Sequence, residues 1–131
     1  MDGPKPGLKG RAEMLVGTND TAPRVGSGRI AVLATPVMIT LMEEAALNAT
    51  DRSLPKGKHS LGTRVDVSHI AATPTGMKVT AEAALVKVEG RRLIFEVKAS
   101  DEVELIGEGR HERVIVSADL FERRISEKAD G

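Results

Sequence analysis

The chain has 131 residues, with 19 basic and 19 acidic side chains and no cysteine. Its length suits one domain with its own hydrophobic core, and its balanced charge provides no basic field that would attract nucleic acid or an anionic membrane. The absence of cysteine excludes disulfides, thiolate nucleophiles and cysteine-based zinc sites.

No segment has the pattern of a membrane span or a secretory signal. The longest apolar run, Ile30 to Leu41, is shorter than the roughly 20 residues that a transmembrane helix needs. We therefore expect a cytoplasmic protein with one domain over residues 1–131. Residues 1–10 are expected to form a loose lead-in, and residues 118–131 a charged tail that folds at most into a short helix.

The first half of the chain predicts one short strand and one long helix. A strand is expected over residues 12–16, and the polar, turn-rich residues 17–28 indicate a surface loop. Thr35 then supplies an N-cap hydroxyl and Pro36 a proline at the first helical position, and the helix continues without a breaker to about residue 48. Its polar stripe is narrow, so the helix is expected to be largely enclosed. This stripe consists of Thr40, Glu44 and Asn48.

After a polar linker over residues 51–58, the periodicity changes from helical to that of β-strands. A shift of parity near Val86 indicates a β-bulge, and Glu89-Gly90 predicts a tight hairpin. The expected strands cover residues 60–69, 77–88, 92–99 and 103–117.

One apolar helix followed by consecutive antiparallel strands predicts an α+β architecture. In this arrangement a curved antiparallel sheet wraps around the one long helix, which is the general plan of the hot-dog fold.

His69 stands where strand alternation predicts an apolar, inward-facing side chain. Val65, Val67 and His69 share one face of their strand. A titratable group that points into a core must find a partner or serve a function. A lone histidine of this kind is usually a hydrogen-bonded core residue, but His69 ends its strand just before a turn at residues 71–74, where a side chain can meet a cavity.

Glu43 and Glu44 are adjacent on the helix, but their side chains point about 100° apart. Glu44 belongs to the polar stripe, whereas Glu43 falls between Ile39 and Leu47 and is expected to be less solvated. Glu43 is therefore the better candidate for a catalytic carboxylate. The alternative is that both carboxylates simply solvate an exposed helical edge.

Three further residues have both a structural and a functional interpretation. Thr35 is expected to cap the helix, and in that position its hydroxyl would also lie near backbone amides that can stabilise an oxyanion. Arg113 shares inward parity with Gly109 and Ile115, so its guanidinium must pair with a carboxylate or a substrate group unless the strand twists to expose it. Gly62 either starts a strand or allows close approach of a ligand to the backbone.

The remaining histidines show no catalytic or metal-binding pattern. His59 lies in the polar linker and His111 among charged residues, so both are expected at the surface. Their spacing does not match known zinc-binding motifs, and we expect no metal site.

Five co-linear strings of residues together resemble the fluoroacetyl-CoA thioesterase family of hot-dog proteins. The likeness runs from about Thr35 to Val116, and several motifs in matching order are far more specific than any one of them. The strings are Leu41-Met-Glu43, Ser60-Leu-Gly-Thr63, Val67-Ser-His-Ile-Ala-Ala-Thr-Pro74, Val88-Glu-Gly-Arg-Arg-Leu93 and Gly109-Arg-His-Glu-Arg113.

The resemblance implies an acyl-CoA thioesterase that hydrolyses a short or medium acyl-CoA to the free acid and CoA. It places a catalytic group at Thr35, Glu43 and His69, and substrate-holding residues at Gly62 and Arg113. Glu43 would attack the thioester or activate water, His69 would carry the proton, and Thr35 would position Glu43 or act as the nucleophile. The resemblance also implies a homodimer with active sites at the subunit interface, and no cofactor beyond the coenzyme A of the substrate.

The segment before Thr35 differs from that of the fluoroacetyl-specific member, whose lid is lined by aromatic residues. Here residues 26–34 read Gly-Ser-Gly-Arg-Ile-Ala-Val-Leu-Ala, so we expect a different short or medium acyl group. Two other functions are compatible with the same residues. They are a hot-dog hydratase or dehydratase acting on an acyl thioester, and a non-catalytic acyl-CoA-binding protein.

Overall fold

The computed structural model describes residues 3–131, and within them the chain forms five β-strands and three α-helices. It also contains two single-turn 3₁₀ segments, Thr18–Asp20 and Asp51–Ser53. The strands are β1 (Lys9–Leu15), β2 (Lys58–His69), β3 (Lys78–Glu89), β4 (Arg92–Ser100) and β5 (Leu105–Ser117), and the helices are α1 (Ala22–Val25), α2 (Thr35–Thr50) and α3 (Ala118–Asp130).

The strands form one antiparallel sheet in the order β1-β3-β4-β5-β2. The sheet curls around α2, which packs mainly against β1 and β3. This is the α+β hot-dog plan that the sequence predicts. Because β1 and β2 are the two edge strands, β2 has a neighbour on only one side within residues 3–131.

The core lies between α2 and the concave face of the sheet. The helix buries Met38, Leu41 and Met42 together with three alanines, and its exposed stripe is the predicted one of Thr40, Glu44 and Asn48. Burial of a large apolar side chain contributes about 1.5–3 kcal/mol. The facing side chains of the sheet include Val79, Leu85, Leu93, Phe95 and Val97.

Alternation along β2 brings His69 to the concave face, but the end of the sheet extends past the helix. Val65 pairs with His111 and Val67 with Gly109, so these residues face the same side as predicted. Val65 is nevertheless 40% exposed. The face predicted for Val65, Val67 and His69 is therefore correct. The expectation that these side chains are enclosed is wrong for the single chain, because α2 barely contacts β2.

The segments outside the core differ from expectation in three places. The lead-in expected over residues 1–10 is shorter than predicted, because β1 already begins at Lys9. Residues 1 and 2 of this lead-in lie outside the described part of the chain. The expected loop over residues 17–28 contains a 3₁₀ turn and α1, which bury Thr21 and Ala22. The charged tail forms a full helix, α3, whose side chains from residue 119 onward are exposed.

None of the helices within residues 3–131 combines the length and the apolar character that crossing a bilayer requires.

Candidate active site

Thr35 and His69 form a direct side-chain pair. Thr35 is the first residue of α2 and His69 is the last residue of β2, and Oγ1 of Thr35 lies 2.7 Å from Nδ1 of His69. The strand holds His69 through its pairing with Gly107. A hydroxyl in hydrogen-bond contact with an imidazole is the geometry of a nucleophile and its general base.

The structure corrects the predicted role of Thr35 as a helix cap. The helix begins at Thr35 itself, so that Ala34 occupies the N-cap position and no side-chain cap hydrogen bond is present. The N–H groups of Val37 and Met38 donate to the carbonyl of Ala34 at 3.0 and 3.1 Å, and they are therefore not free to bind an oxyanion. The hydroxyl of Thr35 is committed to His69 instead of to the backbone.

The environment of His69 favours the neutral imidazole. Burial lowers the pKa of His69, and a backbone contact with Ala71 only partly opposes this. Within the described residues, Nε2 of His69 is buried without a hydrogen-bond partner, although Nδ1 contacts Thr35. A buried polar atom without a partner is uncommon in native proteins, where a protein group or an ordered water satisfies most such atoms.

A cavity of about 310 Å³ opens beside this pair. Its walls are mostly small and aliphatic, and the segment before α2 contributes part of them. A larger cavity of about 970 Å³ lies elsewhere, next to β1 and charged residues of β3, β4 and β5, and none of the predicted site residues lines it. The smaller cavity holds the candidate chemistry, and its lining includes Ala22, Val32, Leu33, Ile70, Ala71 and Ala72.

Glu43 belongs to a second cluster, two turns farther along α2. Its Oε2 lies 3.4 Å from Nη1 of Arg113 and 3.9 Å from Nε2 of His111. The carboxylate also occupies the space above Gly62, because a Cβ at that position would lie 2.5 Å from Oε2. Glu43 is half-buried, whereas Glu44 is exposed, as the helical pattern predicts.

Arg113 is buried and nearly saturated with hydrogen bonds. Its Nε–H donates to Oγ of Ser60 at 2.8 Å, Nη2 donates to the carbonyl of Ser60 at 3.0 Å, and Nη1 faces Glu43 and His111. Burial lowers the pKa of Arg113, while the carboxylates of Glu43 and Asp51 oppose that change. The predicted inward orientation of Arg113 is therefore confirmed, and Glu43 is its carboxylate partner.

The expected surface position of His111 is wrong, because this side chain is only 1% exposed. Its ring stacks on Phe95 with centroids 6.1 Å apart, and Nδ1–H donates to the carbonyl of Arg64 at 2.8 Å. Nε2 must then accept from Arg113, which requires a neutral ring. Burial is the main cause that lowers the pKa of His111. His111 lies two residues from Arg113 on β5, so strand alternation places both side chains on the same, inward face. The sequence analysis missed this signal because His111 has charged neighbours in the sequence. His59 is exposed as predicted.

The five predicted site residues thus form two groups within one chain. Thr35 and His69 are together, and Glu43, Gly62 and Arg113 are together. Thr35 and Glu43 are eight residues apart on one helix, which corresponds to about 12 Å. Gly62 and His69 are separated by about 23 Å of strand. A single chain therefore does not bring Glu43 to His69.

Comparisons with known proteins identify relatives along most of the chain. The sequence profile of a family described as fluoroacetyl-CoA-specific thioesterase matches residues 16–119. A fluoroacetyl-CoA thioesterase from Streptantibioticus cattleyicolor is 45% identical over 97 residues, which cover 74% of this chain and 70% of that protein.

Solved structures support the same relationship. A structure of the fluoroacetyl-CoA thioesterase FlK superposes with a TM-score of 0.91 at 37% identity, covering 97% of this chain and 98% of the other. A hot-dog-like protein from Thermanaerovibrio acidaminovorans gives a TM-score of 0.87 at 30% identity, covering 95% and 93%. A thioesterase superfamily member from Thermus thermophilus gives 0.85 at 30% identity, covering 99% and 98%.

Proposed function

Because the chain belongs to the fluoroacetyl-CoA-specific thioesterase family, we propose that it hydrolyses aliphatic acyl-CoA thioesters at a site formed by Thr35 and His69 of one subunit and Glu43 of a second. The chain is an acyl-CoA thioesterase, a hydrolase that acts on the thioester bond. The residues that carry out the reaction, the preferred acyl group and the dimer are the parts that we propose here.

The observation that carries the catalytic assignment is the 2.7 Å contact between Oγ1 of Thr35 and Nδ1 of His69. With a neutral ring, Nδ1 accepts the hydroxyl proton as the oxygen of Thr35 attacks the thioester carbonyl. The N–H of Thr35 supports the oxyanion, because the first residue of a helix has no i−4 carbonyl within that helix to accept this N–H.

The tetrahedral intermediate collapses when the C–S bond breaks and CoA leaves as a thiol, taking the proton from His69. The acyl group is then an ester of Thr35. Water attacks this ester, His69 removes the proton from that water, and the proton returns to Oγ1 of Thr35 as the free acid leaves. A thiol has a pKa of about 8.5, so its departure needs little assistance from an acid. The proposed reaction uses no cofactor, and coenzyme A enters only as part of the substrate.

A second copy of the chain supplies the missing carboxylate. The edge strand β2 is 12 residues long, and Leu61 and Val65 on it are 37% and 40% exposed. A long, unprotected edge strand is a template for pairing with another chain, and two-fold symmetric dimers are the commonest homo-oligomers. These features support a homodimer that pairs β2 with β2.

The register of that pairing follows from the two clusters. If the two-fold axis passes at Asp66, perpendicular to the sheet, the bulge between Gly62 and Arg64 places Gly62 of one strand beside His69 of the other. Glu43 lies directly above Gly62 in its own subunit. The partner's Glu43 then approaches Nε2 of His69, which is the buried nitrogen that lacks a partner within the described chain. Its carboxylate would accept the Nε2–H and stabilise the imidazolium as it forms.

The cavity beside Thr35 supports an aliphatic acyl group longer than two carbons. Its volume of about 310 Å³ exceeds what the few heavy atoms of an acetyl or fluoroacetyl group require. Val32 and Leu33 line it, and the preceding residues 26–31 include no aromatic side chain. Apolar walls favour each added methylene by up to about 0.8 kcal/mol.

A panel of acyl-CoA substrates tests this function. The purified protein is incubated with straight and branched acyl-CoAs from acetyl to octanoyl and with fluoroacetyl-CoA, and free thiol is measured with a thiol-reactive dye. We expect thiol release that increases with chain length beyond acetyl and is slower with fluoroacetyl-CoA. Quenched reactions should contain an acyl mass on the peptide that includes Thr35. Substrate loss without thiol release would instead indicate a hydratase or dehydratase, and binding without turnover would indicate a carrier.

A further inference from the structure

A partly buried chain of hydrogen bonds connects the end of α2 to Glu43 through the sheet. Resting on the function proposed above, we propose that Asp51 and Ser60 are positioning residues that orient the carboxylate of Glu43 by fixing the guanidinium of Arg113. Neither Asp51 nor Ser60 touches the substrate cavity or the Thr35–His69 pair. They act on the reaction only through Arg113.

The direction of each hydrogen bond in this chain is fixed. The hydroxyl of Ser60 donates to Oδ1 of Asp51 at 2.8 Å, which leaves the lone pairs of Oγ free to accept. The Nε–H of Arg113 donates to that Oγ at 2.8 Å. Since the guanidinium is planar, fixing Nε and Nη2 on Ser60 also fixes the direction of Nη1, which faces Glu43 at 3.4 Å.

His111 restrains the same nitrogen from the other side. Its neutral Nε2 accepts from Nη1 of Arg113 at 3.1 Å, while its Nδ1–H is held by the carbonyl of Arg64. The two N–H groups of Nη1 therefore have separate acceptors, one on His111 and one on Glu43. The guanidinium cannot turn away from Glu43 without breaking bonds to both Ser60 and His111.

Asp51 places a negative charge between the end of α2 and the 3₁₀ segment that follows it. Asp51 occupies the C-cap of α2, where the helix dipole is negative and where cations are preferred. The nearby buried guanidinium of Arg113 offsets this charge, because Asp51 is one of the two carboxylates that favour the charged form of Arg113. Glu43 thus contacts this buried cation directly, whereas Asp51 acts on it through Ser60, and loss of either carboxylate leaves the cation less well compensated.

A double-mutant cycle separates positioning from simple support of the fold. The variants are Asp51→Ala, Glu43→Gln and the combination of both, assayed by thiol release from the best acyl-CoA of the panel. We expect Asp51→Ala alone to lower kcat/KM by about 10-fold, chiefly through kcat, because the misplaced carboxylate of Glu43 stabilises the transition state less well. In the Glu43→Gln background, the same substitution should cause less than about a 2-fold further loss, since the two residues act in series.

Two further variants keep the test decisive if Asp51→Ala is poorly folded. Asp51→Asn keeps an oxygen that can accept from Ser60, and it should retain more activity than Asp51→Ala at equal Tm. Asp130→Ala removes an exposed carboxylate at the end of α3 and should leave kcat and KM unchanged.

An unchanged kcat in folded Asp51→Ala would overturn the inference. It would also be overturned if Asp51→Ala lowered kcat/KM by the same factor in the wild-type and Glu43→Gln backgrounds, because that result indicates a purely structural role. A fully active Glu43→Gln variant would instead contradict the proposed function, and the cycle distinguishes that outcome.

Discussion

The hydroxyl of Thr35 lies 2.7 Å from Nδ1 of His69, although 34 positions separate the two residues in the sequence. The hydroxyl bonds to His69 and does not cap the helix, because Ala34 and not Thr35 occupies the N-cap position. The pair therefore depends on the tertiary fold, and its removal should affect catalysis much more than stability.

Substitution of Thr35 separates these two roles. Thr35→Ala should lower kcat/KM by at least about 10²-fold because it removes the proposed nucleophile. It should change the free energy of unfolding by well under the roughly 1 kcal/mol that loss of a helix cap costs, because no cap is lost. Thr35→Ser keeps a hydroxyl and serves as the control. A large drop in Tm with little change in kcat/KM would contradict this account.

The two adjacent glutamates of α2 should behave very differently. Glu43→Gln should lower kcat/KM by at least about 10²-fold, the low end for a positioned acid or base. Glu44→Gln is the matched control and should be nearly silent, since this side chain is exposed on the polar stripe. Steady-state thiol release from both variants measures the difference, and equal activities would argue against a role for Glu43.

Gly62 should tolerate no side chain if Glu43 must keep its position. A Cβ there would lie 2.5 Å from Oε2 of Glu43 and 3.2 Å from Cε1 of His111. Gly62→Ala should therefore displace the carboxylate and lower kcat by about 10-fold or more. Gly17→Ala is the control, because its Cβ meets no atom closer than 3.4 Å. Circular dichroism melts of both variants would show whether the loss of activity follows from unfolding.

The titration of His69 reports whether the carboxylate of a second subunit is nearby. Burial within one chain lowers the pKa of His69. The negative charge of the partner's Glu43 would oppose this by favouring the imidazolium. Glu43→Gln removes that charge, so the pKa of His69 should be lower in this variant than in the wild type. NMR of labelled histidines measures both values. An unchanged pKa would show that Glu43 and His69 do not interact.

Sequence periodicity predicted the fold and the faces of most site residues correctly. Two-residue alternation placed His69 and Arg113 on the concave face, and helical geometry separated Glu43 from Glu44. These patterns are local, and each follows from the direction of successive side chains along one element.

Relations between elements were harder to predict. His111 has charged neighbours on both sides, which concealed that strand parity turns it inward. The network through Asp51 and Ser60 depends on the pairing of β2 with β5, which has no local sequence signal. The resemblance implies that Thr35, Glu43 and His69 form one group, whereas in the folded chain Glu43 lies apart from the Thr35–His69 pair.

A mixed dimer tests most directly the claim that one active site takes residues from two subunits. Glu43→Gln and His69→Ala chains with different affinity tags are coexpressed, and the dimer that carries both tags is purified. Each variant alone should be nearly inactive. In the mixed dimer, one site combines an intact Thr35–His69 pair with an intact Glu43 from the other chain, so thiol release should recover to about half of the wild-type rate per dimer. If the mixed dimer is no more active than its inactive parents, the shared site does not exist.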